Sequence, residues 1–276
     1  MKRRTAPKLP INAVPPQTEQ RAEMLIEERR QHILALAHQN GRVIVEDLSQ
    51  ALGISRITIR KDLDHLQRKG VLQRTHGGAL LPQSGALFDP SLKEKEMQHS
   101  QEKKRISDAA VALVQEGQCV LLDSGTTTTA IARGLKKFSH LTVITNAVNI
   151  AAELSGTDFE VILTGGSLRR NSFSLVGPLA EEVLAEMHAD ILFLGVDGFD
   201  LEIGLTTPNV MESRVNRAMV KAATTTVAVC DSTKFNKRSL SKIVDAAAIH
   251  HVITDTNLSR PVAEAIRNFG IKLTLV

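Results

Sequence analysis

The residues best suited to chemistry lie where apolar runs break into small, hydroxyl-bearing ones. Val120-Leu121-Leu122 leads into Asp123-Ser124-Gly125-Thr126-Thr127-Thr128, and a helical stretch follows. A strand turning through Ser-Gly-Thr into a helix aims backbone N–H groups and several hydroxyls at one point. The helix N-terminus also favours an anion there. A phosphate or a carboxylate is the expected ligand, and a capped strand–helix turn with no ligand is the alternative. The Gly-Lys-Ser/Thr ending of a nucleoside-triphosphate loop is absent.

Four more apolar runs end in residues of the same kind. These ends are Thr145-Asn146, Thr164-Gly165-Gly166 with Arg169 close behind, Asp197-Gly198-Phe199-Asp200, and Asp231-Ser232-Thr233-Lys234. In an open parallel sheet such C-terminal strand ends line one crevice. Glycines admit a ligand to the backbone, Arg169 or Lys234 could neutralise a phosphate, and the carboxylates could accept sugar hydroxyl hydrogens. Each end alone is an ordinary turn. Five together favour a polar, phosphorylated small molecule.

A second constellation lies near the N-terminus. Ser55 has the chemistry of a helix N-cap, and the helix it would start runs to Lys69, before Gly70. At about 100° per residue, Ile59, Leu63 and Leu66 fall on one face and would pack inward. Arg56, Ile57, Thr58, Arg60 and Lys61 fall away from that face in the first two turns. Cations, a hydroxyl and an apolar contact on an exposed N-terminal helix face suit the major groove of duplex DNA. Arg74 and His76, on a following Gly-turned ribbon, would form a wing reaching phosphates. A helical bundle for protein docking fits the same pattern.

The elements that must position these residues divide the chain. Residues 1–20 hold four prolines and four basic residues and read as a mobile tail. Residues 21–80 read as three helices and a ribbon: the first helix ends at Asn40-Gly41, and the second spans Glu46–Leu52 before Gly53. Residues 81–100 read as a polar linker. From residue 101 strands and helices alternate, with strands expected at 120–123, 141–145, 159–163, 191–196, 226–230, 252–255 and 271–276. The helices between them include 128–137 and 212–223. That alternation implies a mostly parallel α/β sheet.

Composition bounds the function. The 276 residues carry a net charge of +4, with 42% hydrophobic and 23% charged residues. Residues 1–80 hold 14 Lys/Arg against 8 Asp/Glu, a net +6, and the remainder carries −2. A basic head on a slightly acidic body suggests a polyanion partner for the head. The head has no aromatic residue before Phe88, so it lacks the stacking platforms of single-strand readers. Two cysteines exclude a disulfide framework and a Cys-rich zinc module. His250-His251 lacks nearby ligand partners, so no metal and no cofactor are expected. No apolar run approaches a membrane span, and no signal peptide is evident. A soluble protein of the cytoplasm is the expectation.

The stretch Val45–Leu80 resembles the winged helix-turn-helix of the DeoR family of bacterial transcription regulators. The matching pattern is Ser55, Thr58-Ile59-Arg60, Asp62-Leu63, Gly70, and Arg74 with Gly77-Gly78-Ala79. The body resembles that family's sensor domain, similar in fold to ribose-5-phosphate isomerase and coenzyme A transferases. It does so through Asp123-Ser-Gly-Thr-Thr-Thr, Thr145-Asn146, Thr164-Gly165-Gly166, Gly204-x-Thr206-Thr207, Glu212 and Asp231-Ser232-x-Lys234. The segment 192–204 with Glu212 to Arg217 is most like regulators of N-acetylgalactosamine and galactosamine use.

The resemblance implies a repressor of a sugar-catabolism operon, released from duplex operator DNA by a phosphorylated sugar such as an amino-sugar or tagatose phosphate. It would act as a homo-oligomer, a dimer or tetramer. An isomerase is the competing reading, with Asp197, Asp200 and Glu212 as acid–base groups. The enzyme's lysine between the aspartates and the glutamate has no counterpart in residues 201–211, which argues for binding without turnover.

Overall fold

The computed structural model describes residues 18–68, 71–75, 77–80 and 89–276. The chain divides into two compact units, Met1–Gln83 and Ser84–Val276. The expected tail lies outside the described residues up to residue 17, and residues 18–20 already belong to the first helix.

The first unit runs α1 (Thr18–Asn40), β1 (Arg42–Ile44), α2 (Val45–Leu52), α3 (Arg56–Arg68), β2 (Gln73–Arg74) and β3 (Gly78–Leu80). Gly41 and Gly53 adopt left-handed φ values of 71° and 63°, which end α1 and α2 where the sequence suggested. The Thr58 N–H donates to Ser55 Oγ at 3.3 Å, so Ser55 caps α3. Ile59, Leu63 and Leu66 are buried against Ile33, Ala37 and Leu48. Strand β1 was not foreseen. It pairs with β3, opposite β2, in a three-stranded antiparallel sheet. A Cβ on Gly78 would lie 1.9 Å from the Val43 carbonyl oxygen, so the second glycine of Gly77-Gly78 is what lets β1 approach.

The second unit opens with α4 (Leu92–Met97) and α5 (Ser100–Val111). Within the stretch expected as a linker, residues 92–97 and residue 100 are helical. Ser91 Oγ accepts from the Glu94 N–H, and the Glu94 carboxylate accepts from the Ser91 N–H, a capping box that nucleates α4. There follow β4 (Cys119–Leu122), α6 (Thr126–Leu135), β5 (Thr142–Thr145), α7 (Val148–Leu154), β6 (Glu160–Leu163), β7 (Ser167–Arg169), β8 (Ser174–Val176) and α8 (Pro178–Ala185). Then come β9 (Ala189–Leu194), β10 (Gly198–Asp200), β11 (Gly204–Thr207), α9 (Val210–Lys221), β12 (Ala223–Val229), β13 (Ser241–Val244), β14 (His251–Thr254), α10 (Arg260–Asn268) and β15 (Lys272–Leu275).

All seven strands expected from the sequence form one parallel sheet, ordered β15-β14-β12-β9-β4-β5-β6. Side chains alternate across it. Val120 and Leu122 pack with α5, α6 and α7, whereas Leu121, Leu192 and Leu194 pack with α8, α9 and α10. Burial on both faces is why the central strands read as continuous apolar runs, whereas the edge strands β6 and β15 are only partly buried. From β4 the chain winds outward to β5 and β6, then returns to β9 and winds the other way. The reversal places a crevice at the carboxyl ends of β4 and β9, where open α/β sheets bind ligands.

Candidate functional site

Two sites emerge, one in each unit. In the first, the leading turns of α3 present Arg56, Ile57, Arg60 and Lys61 to solvent, with Ile57 66% exposed. Thr58 is half-buried and shares a 3.0 Å hydrogen bond with Ser55. Arg56 pairs with Glu46 of α2 at 2.6 Å. Asp62, from the same motif, points the other way. It is 2% exposed and accepts from Arg29 Nε at 2.6 Å and Arg30 Nε at 2.9 Å, so it anchors α3 to α1. Arg74 is not a free wing cation: it donates to Asp64 at 2.8 Å and to the Gly78 carbonyl, holding the ribbon together. His76 lies outside the described residues.

In the second unit, a pocket fills the crevice. Asp123, Ser124, Gly125, Thr126 and Thr127 line it from the end of β4 and the start of α6. No side chain caps the N-terminus of α6. Asp197 enters from beyond β9, Lys234 from beyond β12, Arg169 from β7, and Glu212 from α9. Asn209 caps α9 by accepting from the Met211 and Glu212 N–H groups, which fixes Glu212. Nine of the expected residues thus meet in one place.

Five do not line it. Thr128 is fully buried and donates to the Gly125 carbonyl, bracing the turn from behind. Asn146 is likewise buried and donates to the Leu175 carbonyl. Gly165 and Gly166 take φ values of 73° and 117°, and a Cβ on Gly166 would meet the Val176 carbonyl at 2.8 Å. Their role here is a tight turn against α8. Asp200 caps the β10–β11 turn, accepting from the Glu202 and Ile203 N–H groups, and pairs with Arg238 at 2.7 Å in a separate depression.

Several pocket residues went unseen in the sequence. Lys95 of α4 pairs with Asp197 at 2.7 Å, and Lys103 of α5 donates to the Gln98 carbonyl at 2.7 Å and to the Lys95 carbonyl. Asp89 sits on Arg169, whose other nitrogen reaches Glu212 at 3.0 Å. Ser91-x-x-Glu94 was the available signal that this stretch is a helix start, not a linker.

The charges are mutually tuned. Burial works against the Lys95 ammonium, yet Asp197 more than offsets it, with Glu212 and Asp123 beyond, so its pKa is raised. Asp197 is held below its usual value because Lys95 and Lys234 outweigh its burial. Burial pushes Lys103 down to about 8, with help from the nearby Lys234 and Lys95. Asp123 has no cation against it. Burial lifts its carboxyl to about 7, against the pull of the Gly195 N–H and the Thr128 hydroxyl. Its Oδ1 is buried and takes no hydrogen bond among the described residues. A cation-lined pocket with an unanswered carboxyl on its floor can hold a ligand with an anion and a hydrogen-bond donor.

Among the described residues, no three His, Cys, Asp or Glu side chains gather to hold a metal, and no helix is long and apolar enough to cross a membrane. Cys230 is buried, which raises its thiol, and Cys119 is half-buried.

Comparison with known proteins matches residues 29–85 to the DeoR-like helix-turn-helix domain and residues 98–256 to the DeoR C terminal sensor domain. The chain is 42% identical to an Escherichia coli O157:H7 protein named as a candidate aga operon transcriptional repressor, over 90% of this chain and 93% of that one. It is 40% identical to the HTH-type transcriptional regulator GlpR of Haloferax volcanii, over 90% and 97%. Among solved structures it is similar to ribose 5-phosphate isomerase from Methanocaldococcus jannaschii, at 16% identity and a TM-score of 0.38, over 50% of this chain and 55% of that one. With its head and its sensor unit both matched, the chain belongs to the DeoR family of helix-turn-helix transcriptional regulators.

Proposed function

We propose that this protein represses a sugar-catabolism operon and is released from its operator by a phosphorylated sugar. The pocket at the β4/β9 reversal carries this reading: Lys95, Lys103, Arg169 and Lys234 surround an uncapped helix N-terminus and the open Asp123 carboxyl. A phosphate suits the cations and the helix end, and hydroxyl or amino groups suit the carboxylates. The relative named for the aga operon supports repression of a catabolic operon. Galactosamine 6-phosphate and tagatose phosphates are the first effectors to try.

The exposed leading face of α3 reads the major groove of duplex DNA, with Arg56, Ile57, Arg60 and Lys61 toward the bases. The protein works in the cytoplasm as a homo-oligomer, because one α3 covers only a short half-site and paired heads supply affinity over competing DNA. The pocket binds without turnover. Residues 201–211 hold no lysine, Lys95 is engaged by Asp197, and Asp200 faces a different depression, away from the acid–base role the isomerase reading gave it. The test is a titration of the protein–operator complex with sugar phosphates alongside an assay for isomerised product. Release without product supports the reading, and product formation overturns its non-catalytic part.

A further inference from the structure

We infer that residues 89–98 are a movable wall of the pocket, and that Asp89 occupies Arg169 as an internal stand-in for the effector's anion. An incoming phosphate then displaces the opening segment of the second unit. This inference rests on the sugar-phosphate reading and adds how that site is regulated.

Free space in the pocket is only about 70 Å³. That is room for a few waters, at about 10–15 Å³ each, and far below the several hundred Å³ of pockets that enclose a small-molecule ligand. A sugar phosphate therefore enters only if a wall gives way. The helices and strands around most of the pocket belong to the two buried cores, whereas α4 has no buried residue and Met97 is 80% exposed. At six residues it has little helical stability of its own.

Polar contacts to the pocket's own groups hold this wall in place. Asp89 sits on Arg169, Lys95 on Asp197, and the Leu92 N–H donates to the Asn171 carbonyl at 2.7 Å. The Lys103 ammonium gathers the carbonyls of Lys95 and Gln98. Arg169, Lys95 and Lys103 are the cations that a bound phosphate would draw upon.

Arg169 discriminates between its two carboxylates. Glu212 is fixed by the α9 cap and also accepts from Ser174 Oγ at 3.0 Å. Asp89 lies on irregular chain, nine positions after Leu80, the last residue of β3. It is the exchangeable partner. A phosphate dianion, with three acceptor oxygens, outcompetes one carboxylate for a guanidinium.

The test uses the full-length protein, Asp89→Asn, inorganic phosphate as the probe, and hydrogen exchange read by mass spectrometry. In the wild type, phosphate should accelerate exchange in 89–98 while slowing it at the first turn of α6, where the phosphate takes up the free N–H groups. Asp89→Asn should exchange quickly there without phosphate and bind phosphate on the order of tenfold more tightly, the size expected from freeing one charge-assisted bond. Phosphate that protects 89–98, that binds the variant no more tightly, or that binds neither protein would overturn the inference. Sugar phosphates that release DNA while 89–98 stays protected overturn the wall alone. Sugar phosphates that never bind, while inorganic phosphate behaves as described, overturn only the sugar-phosphate reading.

Discussion

Replacing Asp123 with asparagine should stabilise the sensor unit, by an amount that grows with pH. The carboxyl is buried at the pocket floor, its Oδ1 is unbonded, and burial raises its pKa from 3.8 to about 7. A raised carboxyl binds its proton more tightly in the folded chain than in the unfolded one. Its contribution is therefore most favourable below the unfolded value of 3.8 and is lost as pH rises towards the folded value near 7. Between pH 5 and pH 8 about two pKa units of that loss fall in range, which at about 1.4 kcal/mol each is on the order of 2–3 kcal/mol. Asparagine keeps the shape and does not titrate. Groups distant from the pocket titrate alike in both proteins, so the difference between them reports Asp123 together with the charges coupled to it, Lys95, Asp197 and Glu212. With no Trp and no Tyr in the chain, urea unfolding is followed by far-ultraviolet circular dichroism. A stability difference that stays flat from pH 5 to pH 8 would refute the placement of Asp123 as a buried carboxyl whose burial outweighs its hydrogen bonds.

Arg60→Ala, on the exposed face of α3, should weaken operator binding by about 1–3 kcal/mol with the fold unchanged, as read by gel shift against circular dichroism. Asp62→Asn should destabilise the head by about 2–3 kcal/mol in urea, because it strips two arginines of their shared buried partner while leaving them some access to water. Gly78→Ala drives a Cβ into the Val43 carbonyl. Hydrogen exchange at Val43–Val45 should rise and DNA binding fall, while ligand binding by the sensor unit persists.

What the sequence revealed depended on how local each signal was. The central strands of the parallel sheet were visible because burial on both faces writes them as apolar runs bounded by turn residues, and the half-exposed edge strands β6 and β15 because apolar residues still dominate them. Strands such as β1, β7 and β10, three residues each, carry no such run and form only against a tertiary partner. The helix caps were legible at Gly41, Gly53 and Ser55 because capping is a property of the residue itself. A capping box at Ser91 is equally legible, but the polar, proline-containing stretch around it reads as linker. Lys95 and Asp89 meet Asp197 and Arg169 from 102 and 80 positions away, separations at which no sequence pattern speaks. Arg74 shows the converse: its charge suggested DNA, but its partner Asp64 becomes visible only when the ribbon packs beside α3.

The central claim is that one phosphate-bearing ligand in the sensor pocket loosens the head's hold on duplex DNA. The most direct measurement is a fluorescence-anisotropy titration of the wild type and Lys234→Gln on a labelled duplex that the wild type has selected from a randomised pool, with and without galactosamine 6-phosphate or a tagatose phosphate. Both proteins should bind the duplex equally well without ligand, and the sugar phosphate should release the wild type but not the variant. Release of both proteins alike, or of neither by any sugar phosphate, would contradict the account.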